Sequence, residues 1–166
     1  MSKQVRGDVS NTLPGRFADK HWLYQWSVQV PEFEVRFMDR VFKKLRGRKA
    51  QLLREDFCGT GLLCGEWVKS GKKRRALGLD LDRETLDWGL ERNIASLGEA
   101  AGRVDMRQAD VRSVTAPASD IACAYNFSWF LMDPVSELTD YFRKVRASLE
   151  PDGLVFLDCY GGWEAQ

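Results

Sequence analysis

The chain has 166 residues, which suits one domain built on one core. Its formal charge of +1 supplies no global field to recruit nucleic acid or an anionic bilayer, and no window approaches ~18 uninterrupted apolar residues, so the sequence predicts no membrane span. Residues Met1 to Asp8 lack the apolar core of a signal peptide, and a cytoplasmic location is expected. Cys58, Cys64, Cys123 and Cys159 are scattered without a C-x-x-C pair and His21 is the only histidine. No metal site is therefore expected, and the thiols are expected to stay reduced and mostly buried.

In chain order, residues 1–17 are polar and punctuated by Gly and Pro, which predicts a flexible N-terminus. Residues 18–48 read as a helical cap. An aromatic-rich helix is predicted from Ala18 to Gln29 with Asp19 near its start, and Pro31 opens a second helix at a position where its missing N–H costs nothing. Phe33, Phe37, Met38, Val41, Phe42 and Leu45 recur at helical spacing and predict its buried face; Gly47 ends it.

From residue 49 onward strands and helices alternate. Strands are predicted at about 50–55, at Arg75 to Asp80, at Val104 to Gln108, at Asp120 to Asn126 and at Leu154 to Cys159, the last entered through a turn at Pro151-Asp152-Gly153. Helices are predicted from Gly61 to about Ser70, along Leu86, Leu90, Ile94 and Leu97 with Gly98 as the stop, and along Val135, Leu138, Phe142, Val145 and Leu149. That alternation implies an α/β fold: a parallel, doubly wound sheet with helices on both faces.

The chain is organised around Gln51 to Gly65. An apolar run ends in Glu55 and Asp56, and Cys58-Gly59-Thr60-Gly61 then turns into a helix. Glycine at 59 and 61 permits a sharp bend and a close ligand approach. A strand, a glycine turn and a helix are how open α/β sheets build nucleotide sites at their carboxyl edge. A dinucleotide fingerprint wants G-x-G-x-x-G, but the glycines fall at 59, 61 and 65 with Cys64 in the third place. Two acids before the loop would repel a diphosphate and suit an ammonium or sulfonium group, so the charges favour a cationic nucleoside.

Glu55 to Gly61 resembles the first motif of the class I S-adenosylmethionine-dependent methyltransferases: an acidic residue, a spacer, then a glycine-rich turn. Phe57 stands where the first glycine of that motif lies, and it is expected to make the turn less open and to pack beneath it. The string from Leu53 to Gly61, with Ala18 to Tyr24 upstream, resembles an uncharacterised bacterial branch of the superfamily. The resemblance implies a Rossmann-like sheet of order 3-2-1-4-5 over residues 49–166, with S-adenosylmethionine as cofactor and S-adenosylhomocysteine as product. It also implies a C-terminal antiparallel hairpin that this sequence does not reach, leaving strand five as an exposed edge, with either homodimerisation through it or a longer protein of which this is a part as the expectation.

Asp80 closes the second strand about 20 residues past the turn, where a carboxylate accepts ribose hydroxyls. Asp82 is better placed to cap the next helix. By resemblance, Leu81 lies on the adenine face, Asp110 takes the adenine amino group and Val111 offers a backbone N–H. Glu55, with Cys58, Gly59 and Gly61 of the turn, is assigned to the amino-acid end of the cofactor. Asn126 follows the fourth strand at the topological switch and is assigned to the acceptor or to the cofactor's methionine end. Arg54 and Asp56 are two apart on a strand, so they can pair on one face.

Methyl transfer needs positioning more than a nucleophile, so no catalytic residue is assigned. Tyr24 and His21 are the candidates if a base is needed, and the Trp22-Tyr24-Trp26 helix is a candidate lid. A small-molecule acceptor is expected. Two rival readings remain: a non-catalytic binding or assembly module, and a nicotinamide-dependent oxidoreductase, disfavoured by the acids and the glycine spacing.

Overall fold

The computed structural model describes residues 19–161; the expected flexible N-terminus, 1–17, lies outside them. Helix α1, Lys20–Val28, starts where the Asp19 side chain accepts from the N–H groups of His21 and Trp22. Helix α2, Pro31–Arg46, has Glu32 and Glu34 in its first turn and Lys43, Lys44 and Arg46 in its last, the arrangement that complements its dipole. Gly47 ends it at φ 68°, a left-handed conformation that suits glycine.

The buried stripe of α2 is narrower than its periodicity predicts. Val35, Met38 and Phe42 are buried, whereas Phe33, Phe37 and Leu45 are exposed. Phe33 stacks on Phe37, and Phe37 meets Phe156 edge-on at 6.0 Å.

Five strands form one parallel sheet: β1 Leu52–Asp56, β2 Arg75–Asp80, β3 Val104–Gln108, β4 Ser119–Ala124 and β5 Leu149–Leu157. Their order is β3-β2-β1-β4-β5, all pairs parallel, as the resemblance implies. The chain steps outward from β1 and then returns to lay down β4 on β1's other side, which opens a crevice at the carboxyl edge.

Alternate residues of each strand serve opposite faces. On one face Leu53, Ala76, Ile121 and Cys123 pack under α2 and α3 (Leu62–Lys69), with Trp67 fully buried. On the other Leu77, Leu79 and Ala122 pack against Tyr141 and Val145 of α5 (Val135–Ala147) and against Val111. β5 has β4 as its partner among the described strands, and Val155 and Leu157 on it are exposed.

Three predicted elements differ. The helix after β2 is regular only over α4, Arg83–Gly89; it then widens into a π turn, Leu90–Ile94, and tightens to a 3₁₀ stretch, Ala95–Arg103, broken at Gly98. At Gly89 the helix runs directly against the glycine turn, an added Cβ there sitting 2.2 Å from the Thr60 carbonyl oxygen. β5 is longer than predicted: it pairs once at Leu149 with Ser119, the register then shifts across residues 150–153, and the continuous ladder with β4 starts at the predicted Leu154. β4 stops at Ala124, since Asn126 and Phe127 both adopt left-handed φ.

Candidate functional site

β1 delivers the chain into a tight turn at the carboxyl edge. Phe57, Gly59 and Gly61 all have φ between 53° and 63°. Phe57 holds this conformation where the related motif has glycine, and its ring lies against Tyr141, centroids 6.0 Å apart. Left-handed backbone is costly for a bulky residue, so the surrounding contacts must hold it. Cys58 donates its N–H to Leu79 O, Gly61 to Cys58 O, and Gly59 to Asp80 Oδ2 at 2.7 Å.

The two glycines have different work. At Gly59 the nearest atom to an added Cβ is 3.9 Å away, so its outer side is open to a ligand. At Gly61 the Cβ would meet Met106 Sδ at 2.6 Å, so its smallness also serves packing on β3. Cys58 is buried beside Gly78, and burial pushes its thiol well above the ordinary range, so only its backbone faces the turn.

The adjacent acids separate completely. Asp56 is buried on the α5 side, paired with Arg54 Nε at 2.7 Å and accepting from Tyr141 Oη at 3.0 Å. Arg54, also fully buried, donates to the carbonyls of Val111 and Val114 and so pins the helix-free β3–β4 crossover. Glu55 is buried on the α3 side, where its Oε2 accepts from Cys64 N at 3.1 Å and Cys64 Sγ at 3.0 Å. Burial, with Glu34 and Asp80 nearby, raises its carboxyl to about 8. The charge argument made from both acids therefore rests on Glu55, because Asp56 is neutralised by Arg54.

Beyond the turn, Asp80, Leu81, Ala109, Asp110, Val111, Arg112, Phe57 and Met132 line one shallow cavity. Asp80 fixes the ends of two segments at once, accepting from Gly59 N and, at 2.9 Å, from Asp82 N. Asp82 caps α4, accepting from Glu84 N and Thr85 N. Leu81 is exposed at the cavity rim. Asp110 is held by Arg112, whose Nη2 lies 2.7 Å from Oδ2, and this pairing lowers its carboxyl. An amino group bound there would share the carboxylate with that guanidinium.

Asn126 stands apart from that cavity, at the β1–β4 switch. Its N–H and that of Phe127 both donate to Asp158, at 2.7 and 3.0 Å, and Trp129 Nε1 donates to Asp158 O. Asp158 was not singled out from sequence; an acid after an edge strand carries no local mark of a partner 32 residues away. Other contributors lacked a signal too. Gln25, the one buried residue of α1, donates Nε2 to Thr60 Oγ1 at 2.6 Å, and Asn93 Nδ2 donates to Thr60 O. Trp88 Nε1 donates to Asp19 Oδ2, and the His21 ring packs on Trp88. Helix α1 is thereby fastened over the turn.

A parallel sheet with this order, a glycine turn at the switch and a lined cavity beside an acid at the end of β2 define a nucleotide-binding α/β domain of the Rossmann-like class. Within that class the chain belongs to the methyltransferase-domain family, whose match runs over residues 57–153. Among solved structures it is similar to a SAM-bound amino pentose methyltransferase of calicheamicin biosynthesis from Micromonospora echinaspora, at 19% identity and TM-score 0.69. That match covers 87% of this chain and 57% of the other. A sugar N-methyltransferase from a Streptoalloteichus species matches at 20% identity and TM-score 0.69, over 99% of this chain and 60% of the other. The glycopeptide N-methyltransferase MtfA complexed with SAM matches at 20% and 0.60, over 72% and 52%. The chain thus spans little more than half the length of these proteins. No curated protein sequence matches it. Among the described residues no helix is long and apolar enough to cross a membrane.

Proposed function

We propose that the chain binds S-adenosylmethionine and transfers its methyl group to a small-molecule acceptor, releasing S-adenosylhomocysteine. The observation that carries this reading is Glu55, a carboxylate buried directly beneath the family's glycine turn with no cationic partner among its hydrogen bonds. Burial keeps a proton on this acid up to about pH 8, and a cation bound beside it would draw it into its anion, whereas a pyrophosphate would oppose that ionisation; the site therefore suits a cationic nucleoside. When bound, the donor supplies an electrophilic methyl carbon on a positively charged sulfur.

The protein's own part is to hold and orient. Asp80 accepts ribose hydroxyls; Leu81, Val111 and Met132 wall the adenine; Asp110 and the Val111 backbone address its edge. Gly59, Cys58 and Glu55 take the amino-acid end, and Asn126 closes the acceptor side of the switch. Fluorescence titration with S-adenosylhomocysteine and with NAD tests this: binding of the first and indifference to the second is expected, and the reverse would install the nicotinamide reading.

Free cysteines throughout the described residues suit the reducing cytoplasm, where we place the protein. Homodimerisation by strand pairing along β5, whose partner among the described strands is β4, is part of the proposal and is checked by light scattering. A second reading is a non-catalytic donor-binding module. Labelled-methyl turnover over a metabolite panel decides between them, since donor binding with no transfer would support the module.

A further inference from the structure

The α2–α3 face of the carboxyl edge carries a second constellation, separate from the cavity lined by Asp80 and Asp110. Five elements converge on it. β1 brings Glu55, and the end of β4 leads into Tyr125, which packs on the same core face as Cys123. Phe37 of α2 meets Phe156 of β5 edge-on. One helical turn back from Phe37 is Glu34, and two residues on from Phe156 is Asp158; both steps head toward the carboxyl edge, because α2 starts there and β5 ends there. Tyr24 lies next to Gln25, the residue that anchors α1 on Thr60 of the turn.

Among the described residues, the side chains that raise the titrating groups here are acids and one thiol. Burial raises the Glu34 carboxyl, helped by Asp158 and Glu32. Burial raises the Tyr24 phenol, helped by Asp158, Glu55 and Glu34. Burial likewise raises Tyr125, helped by Cys123, Glu34, Asp158 and Glu55. Glu55, only 5% exposed, gives Oε2 to both Cys64 donors, and its Oε1 accepts from no described residue. Asp158, by contrast, is committed to the backbone of Asn126 and Phe127. Glu34 is half-buried, and its carboxylate accepts no hydrogen bond from any described residue, which leaves it for a ligand.

We propose that the acceptor is an amine, cationic at neutral pH, and that Glu34, with Tyr24 beside it, is the group that receives and deprotonates it. This rests on the methyl-donor reading above. The ammonium gives one proton to the Glu34 carboxylate. The freed nitrogen lone pair forms the N–C bond to the methyl carbon as the C–S bond breaks, its electron pair remaining on the sulfur of the released thioether. The N-methylammonium product carries the positive charge away, and Glu34 returns its proton to solvent. An anionic acceptor, such as a carboxylate or a phenolate, would be repelled from the same place.

The test compares two adenosine ligands by calorimetry. S-adenosylhomocysteine has no charge at the transfer position, whereas sinefungin carries an amine there. Wild-type protein is expected to bind sinefungin about tenfold more tightly, the scale of one charge-assisted contact. Glu34→Gln should bring the two affinities within about twofold while S-adenosylhomocysteine still binds, and Tyr24→Phe should narrow the preference by about threefold. Equal affinities in the wild type, or a preference untouched by Glu34→Gln, would overturn the amine proposal and leave donor binding standing. Failure of wild-type protein to bind either ligand would overturn both.

Discussion

On the α5 side of β1, Asp56 meets Arg54 and Tyr141 in a closed network with every partner supplied by the protein. On the α3 side, Glu55 meets only Cys64, a thiol and a backbone N–H, and its carboxyl is raised to about 8. Both acids are buried, both precede the same turn, and strand alternation alone sends them apart. The difference separates structure from function. A buried carboxylate with a buried guanidinium holds a crossover in place; a buried carboxylate without a counter-charge is an unmet demand for a cation. Perturbed acids of the second kind gather at functional sites.

The contrast breaks most readily at the closed network. Arg54→Ala or Asp56→Ala should each destabilise the fold by about 3–5 kcal/mol in urea unfolding, because each strands a buried charge. The double change Arg54→Met with Asp56→Leu should recover much of that loss. Single variants within about 1 kcal/mol of wild type would show that the pair is not what holds the crossover.

Glu55→Gln should act with the opposite sign. The folded protein keeps a proton on Glu55 up to about pH 8, while the unfolded chain releases it near 4.5. Between those values stability falls as pH rises, and above about 8 the full penalty is present. The amide removes that penalty, so Glu55→Gln should be more stable than wild type by ~2–4 kcal/mol at pH 8 and nearly equal to it at pH 4.5. A variant less stable than wild type at pH 8 would contradict the assignment.

Smaller effects sharpen the same picture. Tyr141→Phe removes one donor from Asp56 and should cost about 2 kcal/mol, with no change in ligand affinity. Gln25→Ala releases α1 from Thr60 and should cost about 1 kcal/mol at most, but should speed ligand dissociation measured by stopped-flow. Unchanged dissociation would mean that α1 does not cover the site.

Much of this architecture is legible in the sequence, because it is local. β2 runs over the predicted Arg75–Asp80, Asp19 and Asp82 cap the helices they precede, and Gly47 ends α2. What escapes is contact between distant segments. Nothing near Gly89 announces that Thr60 presses on it, and Phe33, Phe37 and Leu45 fit a helical period without being covered. The Pro-Asp-Gly of β5 has turn chemistry and the register shifts there, yet the pairing of Leu149 with Ser119 starts the strand before it. The site divides likewise. Asp80, Leu81, Asp110 and Val111 meet in one cavity, but Asp158 and Glu34 reach the carboxyl edge only through tertiary packing.

Proton release on ligand binding tests Glu55 most directly. Calorimetric titration with S-adenosylmethionine at pH 7, in two buffers of different ionisation enthalpy, should show about one proton leaving the wild-type protein as the cation converts Glu55 to its anion, and close to none leaving Glu55→Gln. Binding without proton release, or no heat from this ligand while NAD binds, would contradict the claim that an unpaired carboxylate under the turn is what selects the ligand.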